Sequence, residues 1–332
     1  MNRVLASLAL ALLAGLQPLC AAEVSVSATQ IRSFGETPLD GPVGKLVFRG
    51  GVALVAQDDT FGGLSGVAPT GPNQQVSFVS DRGSFVSGQL VYDDDNRLFG
   101  LIGVTVEPIL NSQGAMLPRQ YAKDAEGVDT VYRNGKPAAV RVSFEHLTRV
   151  ADFALTDGAP GGPAREVPLP QWLTDLRTNQ SLESVCVAPR QSPIAGSTLL
   201  LTEDHDDGAG NHSGWLLGQN DKGAISYAAS PGVYPTDCAF LPNGDLLVLE
   251  RGVVMLTFVM ALRRVPAAEV RPGAVMKGEL LLSASGSTID NMEALAVHVV
   301  PDGETRILIG SDNNFNDWQR SLLLELALPN PS

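Results

Sequence analysis

Five times along this chain the same pattern returns: a small or acidic residue, an alternating apolar strand, a turn, a second strand, and a closing cluster of oxygen-bearing side chains. The copies read "LSGVAPTGPNQQVSFVSDRG" from Leu64, "AEGVDTVYRNGKPAAVRVSFEH" from Ala125, "LESVCVAPRQSPIAGSTLLLTEDH" from Leu182, "TDCAFLPNGDLLVLERG" from Thr236 and "DNMEALAVHVVPDGETRILIGSDNN" from Asp290. The opening residues Ser65, Glu126, Glu183, Asp237 and Glu293 stand 61, 57, 54 and 56 positions apart. A unit of that length with about four short strands cannot bury its own apolar face. Stacked around an axis, such units form a β-propeller.

Composition agrees with an all-β fold. The chain has 34 glycines and 22 prolines, and only 18% of it is charged. Its Val, Leu, Ile and Thr come in short runs bounded by turn residues. No stretch of ~12 residues keeps a capped helical period, and "QWLTDLR", Gln171 to Arg177, is the best helical turn. We expect one propeller domain over residues 23–332. Residues 24–62 carry strands of their own, "VSVSATQI" and "LVFRGGVALV". They must complete the last blade or make most of a sixth, and the reading favours six blades over five. N-terminal strands that close the ring hide edges that an open array would expose.

Residues 1–22 read as a cleaved signal peptide: "MNR" is positive, Val4 to Leu16 is almost wholly apolar, and "LCAA" offers small residues for cleavage. Cys20 follows "QPL", which does not fit a lipoprotein signal. No later run approaches the ~20 apolar residues of a membrane helix. The expectation is an exported protein, periplasmic or extracellular, without a membrane span. Cys186 and Cys238 lie in separate apolar strands with no motif around them, and read as two small buried hydrophobes rather than a disulfide. A formal charge of −13 and a pI near 4.7 repel nucleic acid. An anionic substrate would need a cation between itself and the protein.

In a propeller the first strand of each blade lines the channel, so Glu126, Glu183, Asp237 and Glu293 should face one another at one mouth. The second strands end in Asp81 and Arg82, Glu145 and His146, Glu203 to Asp207, Glu250 and Arg251, and Asp312 to Asn314. They too should lie near a mouth, the same one or the opposite one according to strand length. Converging carboxylates raise one another's pKa unless a cation neutralises them, and calcium accepts six to eight such oxygens in loose geometry. The alternative is that each acid caps backbone N–H groups or pairs with Arg82, Arg251 or Arg320. "TEDHDDGAGNH", Thr202 to His212, is the densest polar cluster and reads as a solvated acidic loop, with a metal- or substrate-binding loop as the alternative. It is not an EF-hand, because the twelfth position from Asp204 is Trp215. His298 lies in an apolar strand and reads as core.

No nucleophile elbow, P-loop, GxGxxG or Cys-x-x-Cys pair occurs, and "GGLSGV" holds Ser65 in the wrong frame for an elbow. A metal-activated water is what remains for an enzyme. Glu145, His146 and His205 are the candidates to assist it, and Arg82 and Arg251 the candidates to hold substrate oxygens.

"FGGLSGV", "DAEGV", "LPNGDLLVLERG" and "NMEALAV...ILIGSDNNFN" resemble the phytase-like family, described as "esterase-like activity of phytase", of secreted bacterial propellers. The likeness runs from about Phe61 to Leu326. It implies a propeller with a calcium-assisted role in hydrolysing phosphate or carboxylic esters. Glu126, Glu183, Glu293, Asp312 and Asn313 fall on the family's acidic motifs, and with Asp237 they make the expected metal set. The chain departs from the family where Ser184 replaces the usual Gly or Ala and where Asp237 replaces glutamate. Three functions follow as expectations: a calcium-dependent phosphate-ester hydrolase acting on a small molecule, a metal-dependent esterase or lactonase similar in plan to paraoxonase and gluconolactonase, or a non-catalytic binding propeller.

Overall fold

The computed structural model describes residues 22–329, and the leader expected over residues 1–22 lies outside them but for Ala22. The strands form five four-stranded blades whose inner strands, Leu64–Pro69, Ala125–Arg133, Leu182–Val187, Tyr234–Phe240 and Asn291–Val299, neighbour one another in a closed ring. Each inner strand pairs antiparallel with the second strand of its blade, and each blade continues outward.

The count is five rather than the favoured six, and the N-terminal residues explain why. Leu46–Ala56 pairs with Ser321–Ala327 from Leu54↔Ser321 to Val47↔Ala327 and becomes the fourth strand of blade 5, with Val26–Ile31 outside it. Ser321–Ala327 is buried along its whole length, and without this partner its edge would be open. Ala22–Val24 adds to the outer strand of blade 1, so the N-terminal segment grips both blades at the seam.

Each interface between neighbouring blades holds its own apolar core. Inner strands approach too closely for side chains at some points. A Cβ on Gly127 would lie 2.5 Å from the Glu183 carbonyl, which is why a small residue follows the acid in this repeat. Cys186 and Cys238 are joined by a disulfide, Cα to Cα 5.9 Å, between the inner strands of blades 3 and 4. This overturns their reading as unpaired hydrophobes. Their separation of 52 residues is about one repeat, so they sit side by side in the ring. On a loop-entropy model, closing that loop contributes about 4 kcal/mol.

Candidate metal centre at the channel mouth

One extra residue bulges each inner strand near its start, where partner positions jump from Leu64 to Gly66, Ala125 to Val128, Leu182 to Ser184, Pro235 to Asp237 and Met292 to Ala294. The bulges set Ser65, Glu126, Glu183, Thr236 and Glu293 in equivalent places. The paired second strands run the other way, so Asp81, Glu145, Glu203, Arg251 and Asp312 arrive at the same mouth. Every blade but the fourth brings at least one carboxylate here. Blade 4 brings Thr236 and Arg251 instead.

Asp237 does not join this group. The bulge shifts it by one position, into the place of Gly127 and Ser184. There it is fully buried, and its carboxylate accepts hydrogen bonds from Cys238 N (2.8 Å) and Leu295 N (2.7 Å). It pins blade 4 to blade 5. Asn313 is also engaged with backbone, accepting from Gly63 N at 3.0 Å and Phe315 N at 3.2 Å. Gly63 has φ +62°, and a Cβ there would meet both Asp81 Oδ1 and the Phe315 ring at 2.3 Å. The glycine pair of "FGGLSGV" is therefore what lets this corner close.

The mouth carboxyls touch one another. Asp124, Glu126 and Glu145 each offer an oxygen within 4.8 Å of the others. Glu145 also contacts Glu183, and Glu293 contacts Asp312. Burial, and then neighbouring carboxylates, push Glu126, Glu183 and Asp312 well above the usual carboxylate range. Asp81 is raised to about 6 and Glu145 to about 8, burial being the main cause in each. Glu203 and Asp124 are raised too, again chiefly by burial, against the lowering pull of Arg251 and His146 respectively.

Arg251 is a cation set within this group: its Nη2 stands 3.3 Å from Glu293 and 3.4 Å from Glu203. Its Nε is buried without a hydrogen-bond partner. His146 holds Nε2 3.2 Å from Asp124 at the rim. His205 is elsewhere: its contacts are Ser213 (3.1 Å) and the Trp172 ring (5.3 Å between centroids). Arg82 stacks its guanidinium 3.3 Å over Phe315. In the acidic loop Asp207 satisfies the N–H groups of Ala209 and Asn211, forming a self-contained turn. His298 is buried 3.1 Å from Glu325, as a core histidine should be.

A matching family model, "Phytase-like: Esterase-like activity of phytase", spans residues 59–315. The chain belongs to the phytase-like family. No curated protein matches it. Among solved structures, this phytase-like chain is similar to the PQQ-bound aldose sugar dehydrogenase of Streptomyces coelicolor, with 10% identity and a TM-score of 0.45 over 92% of this chain and 98% of that one. It is also similar to the RRP9 WD40 repeats, with 11% identity and a TM-score of 0.37 over 85% and 77%. The propeller assignment rests on the strand topology.

Asp124 is the residue that sequence reading left unassigned in this phytase-like site. It stands two positions before Glu126 inside "DAEGV", and the motif itself was the available signal. A cavity of about 690 Å³ lies at the far end of the channel, lined by Val67, Asp129, Tyr132, Phe240 and Val297 among others, and none of the mouth carboxylates lines it.

Proposed function

We propose that the mouth holds divalent cations, calcium above all, and hydrolyses phosphate esters of small molecules. The observation that carries this reading is the Asp124, Glu126 and Glu145 group within 4.8 Å, set among further carboxyls with raised pKa values. Buried acids in mutual contact are costly unless protonated or neutralised. The donors are all oxygens, which suits a hard cation with many ligands. Glu183, Glu293 and Asp312 extend the set. When bound, the cation supplies Lewis-acid polarisation of a phosphoryl oxygen and a more acidic water.

The chain's own residues supply the rest. Arg251 presents an unpartnered buried Nε–H to an anionic oxygen while Glu203 and Glu293 fix its position. His146, oriented by Asp124, is the group placed to take up or deliver a proton at the rim. Glu145 receives the Ser181 N–H at 2.6 Å, which fixes its carboxylate as a ligand rather than a free base. The disulfide supports export to an oxidising compartment.

Hydrolysis of a neutral carboxylic ester or lactone is the second reading. It is favoured by the net charge of −13 and by the mouth's guanidinium groups being already engaged, Arg251 by two glutamates and Arg82 by the Phe315 ring. Turnover of a model phosphate monoester and a model carboxylic ester, each with calcium and with chelator, separates the two. We expect monoester turnover that chelator abolishes and calcium restores. Turnover of the carboxylic ester alone selects the second reading, and no turnover of either in any divalent metal leaves a binding propeller.

A further inference from the structure

The second and third strands of blade 4, Leu246–Val254 and Thr257–Val265, join through a two-residue turn, Met255 and Leu256. Both turn residues have positive φ, 49° and 66°. Turns of this kind are normally built from Asn-Gly, because most side chains resist that backbone. Here the sequence spends two large apolar residues on it, and leaves them 93% and 98% exposed. Val253 and Val254 below them are 56% and 53% exposed, so the tip is apolar on both faces of the hairpin.

The tip stands on the mouth side of the molecule. It continues the strand that carries Arg251, and Met255 lies about 13 Å further along it at ~3.3 Å per residue. The neighbouring blade adds Trp318, 77% exposed, in the loop between Thr305–Asp312 and Ser321–Ala327, which leaves from the same mouth. Two apolar projections on adjacent blades thus flank the carboxylate group.

We propose that this hairpin and Trp318 insert into a zwitterionic phospholipid surface and hold the mouth against it. A protein partner fits poorly. A flat partner covers one side of a hairpin, whereas acyl chains surround every side, and four aliphatic side chains fall short of the ~800 Å² per partner of a stable protein interface. The residue types fit the bilayer boundary: tryptophan at headgroup level, aliphatics below it. The charge of −13 excludes electrostatic attraction to an anionic membrane, so insertion must provide the affinity. If the hydrolase reading holds, the substrate class becomes an amphiphilic phosphate ester presented at a lipid surface.

The test is cosedimentation of the whole protein with phosphatidylcholine vesicles, without turnover. The native chain should sediment with them. Met255→Asn with Leu256→Gly installs the residues the turn prefers, so it should keep or raise the melting temperature while lowering vesicle partitioning at least about tenfold. Trp318→Ala should lower it by a smaller factor. The idea is overturned if the native chain stays in the supernatant, or if the double variant partitions like the native chain. It is equally overturned if the tip residues prove to hold two copies together, with dimerisation in analytical ultracentrifugation lost in the double variant and vesicle binding absent. Because binding is read without substrate, its failure leaves the hydrolase assay untouched, and failure of that assay leaves the binding result standing.

Discussion

Glu183 and Glu325 are both buried glutamates, one on the inner strand of blade 3 and the other on the third strand of blade 5. Burial pushes the pKa of each upward. For Glu325 the neighbours reverse the push: His298 stands at 3.1 Å, Arg306 and the Tyr92 hydroxyl donate at 2.6 Å, and the carboxyl ends below its ordinary value. For Glu183 the neighbours add to it, because Glu126, Glu145, Glu203 and Glu293 are all acids, and the carboxyl ends well above. The same side chain in the same fold is thus completed in one place and left incomplete in the other. The incomplete place is the one where protonation or, on the reading proposed above, a bound cation would relieve the repulsion.

The largest effect should come from breaking the completed cluster. Glu325→Gln leaves Arg306, itself fully buried, with Glu304 as its remaining carboxylate at 2.9 Å and also removes the charge facing His298, and should destabilise the protein by roughly 3 kcal/mol in denaturant titration, with or without calcium. A loss under about 1 kcal/mol would mean that Glu304 alone suffices to hold this arginine. The next effect concerns the incomplete cluster. At a free calcium concentration ~100 times its dissociation constant, the protein should gain about 2.7 kcal/mol over its state in chelator, read as a clear rise in melting temperature. Identical melts would reduce the mouth to protonated carboxyls in mutual contact.

The smallest effect is the sharpest in sign. In chelator, Glu183→Gln puts a neutral amide where burial and acidic neighbours already resist ionisation, so it should leave stability unchanged or raised by roughly 1 kcal/mol, while it weakens the calcium response. The pH slope runs the same way. A raised pKa means that the folded state keeps protons the unfolded state gives up, so the metal-free protein should lose stability as pH rises from the ordinary carboxyl range through Asp81's value of about 6 to Glu145's of about 8. Glu325, with its lowered pKa, contributes the reverse: stability lost only as pH falls through the acid range. A metal-free melting temperature that climbs between pH 5 and about pH 8 would contradict the first half of this pair.

The repeat made the propeller legible, because a period of about 56 residues leaves few other ways to hide each unit's face. Blade number was harder. Strands at the N-terminus look alike whether they found a new blade or finish an old one, and only the pairing of Leu46–Ala56 with Ser321–Ala327 decides it. At the site, Glu126, Glu183 and Glu293 can be brought together from spacing alone, since equal positions in equal repeats meet, whereas Asp312 joins them in the sequence only through the family motif. Asp237 could not be placed the same way. A bulge shifts register by one residue, and one residue turns a channel-facing side chain into a backbone partner in the next blade. Arg251 is the opposite case: the sequence offers it either as a partner of the mouth acids or as a holder of substrate oxygens, and the packed ring sets its guanidinium against glutamates from two other blades.

The seam in blade 5 has a consequence for the order of assembly. On their blade-5 side Val47 and Leu54 pair with Ala327 and Ser321, so an early strand must wait for the last described one to complete this edge. Contacts of such separation form late and slowly. Until then the open edge of Ser321–Ala327 and the one free edge of Leu46–Ala56, whose other edge is held by Val26–Ile31, are both available to other chains. The ring should therefore show a slow final folding step, and in the folded state that same late pairing ties the stability of every blade to one seam.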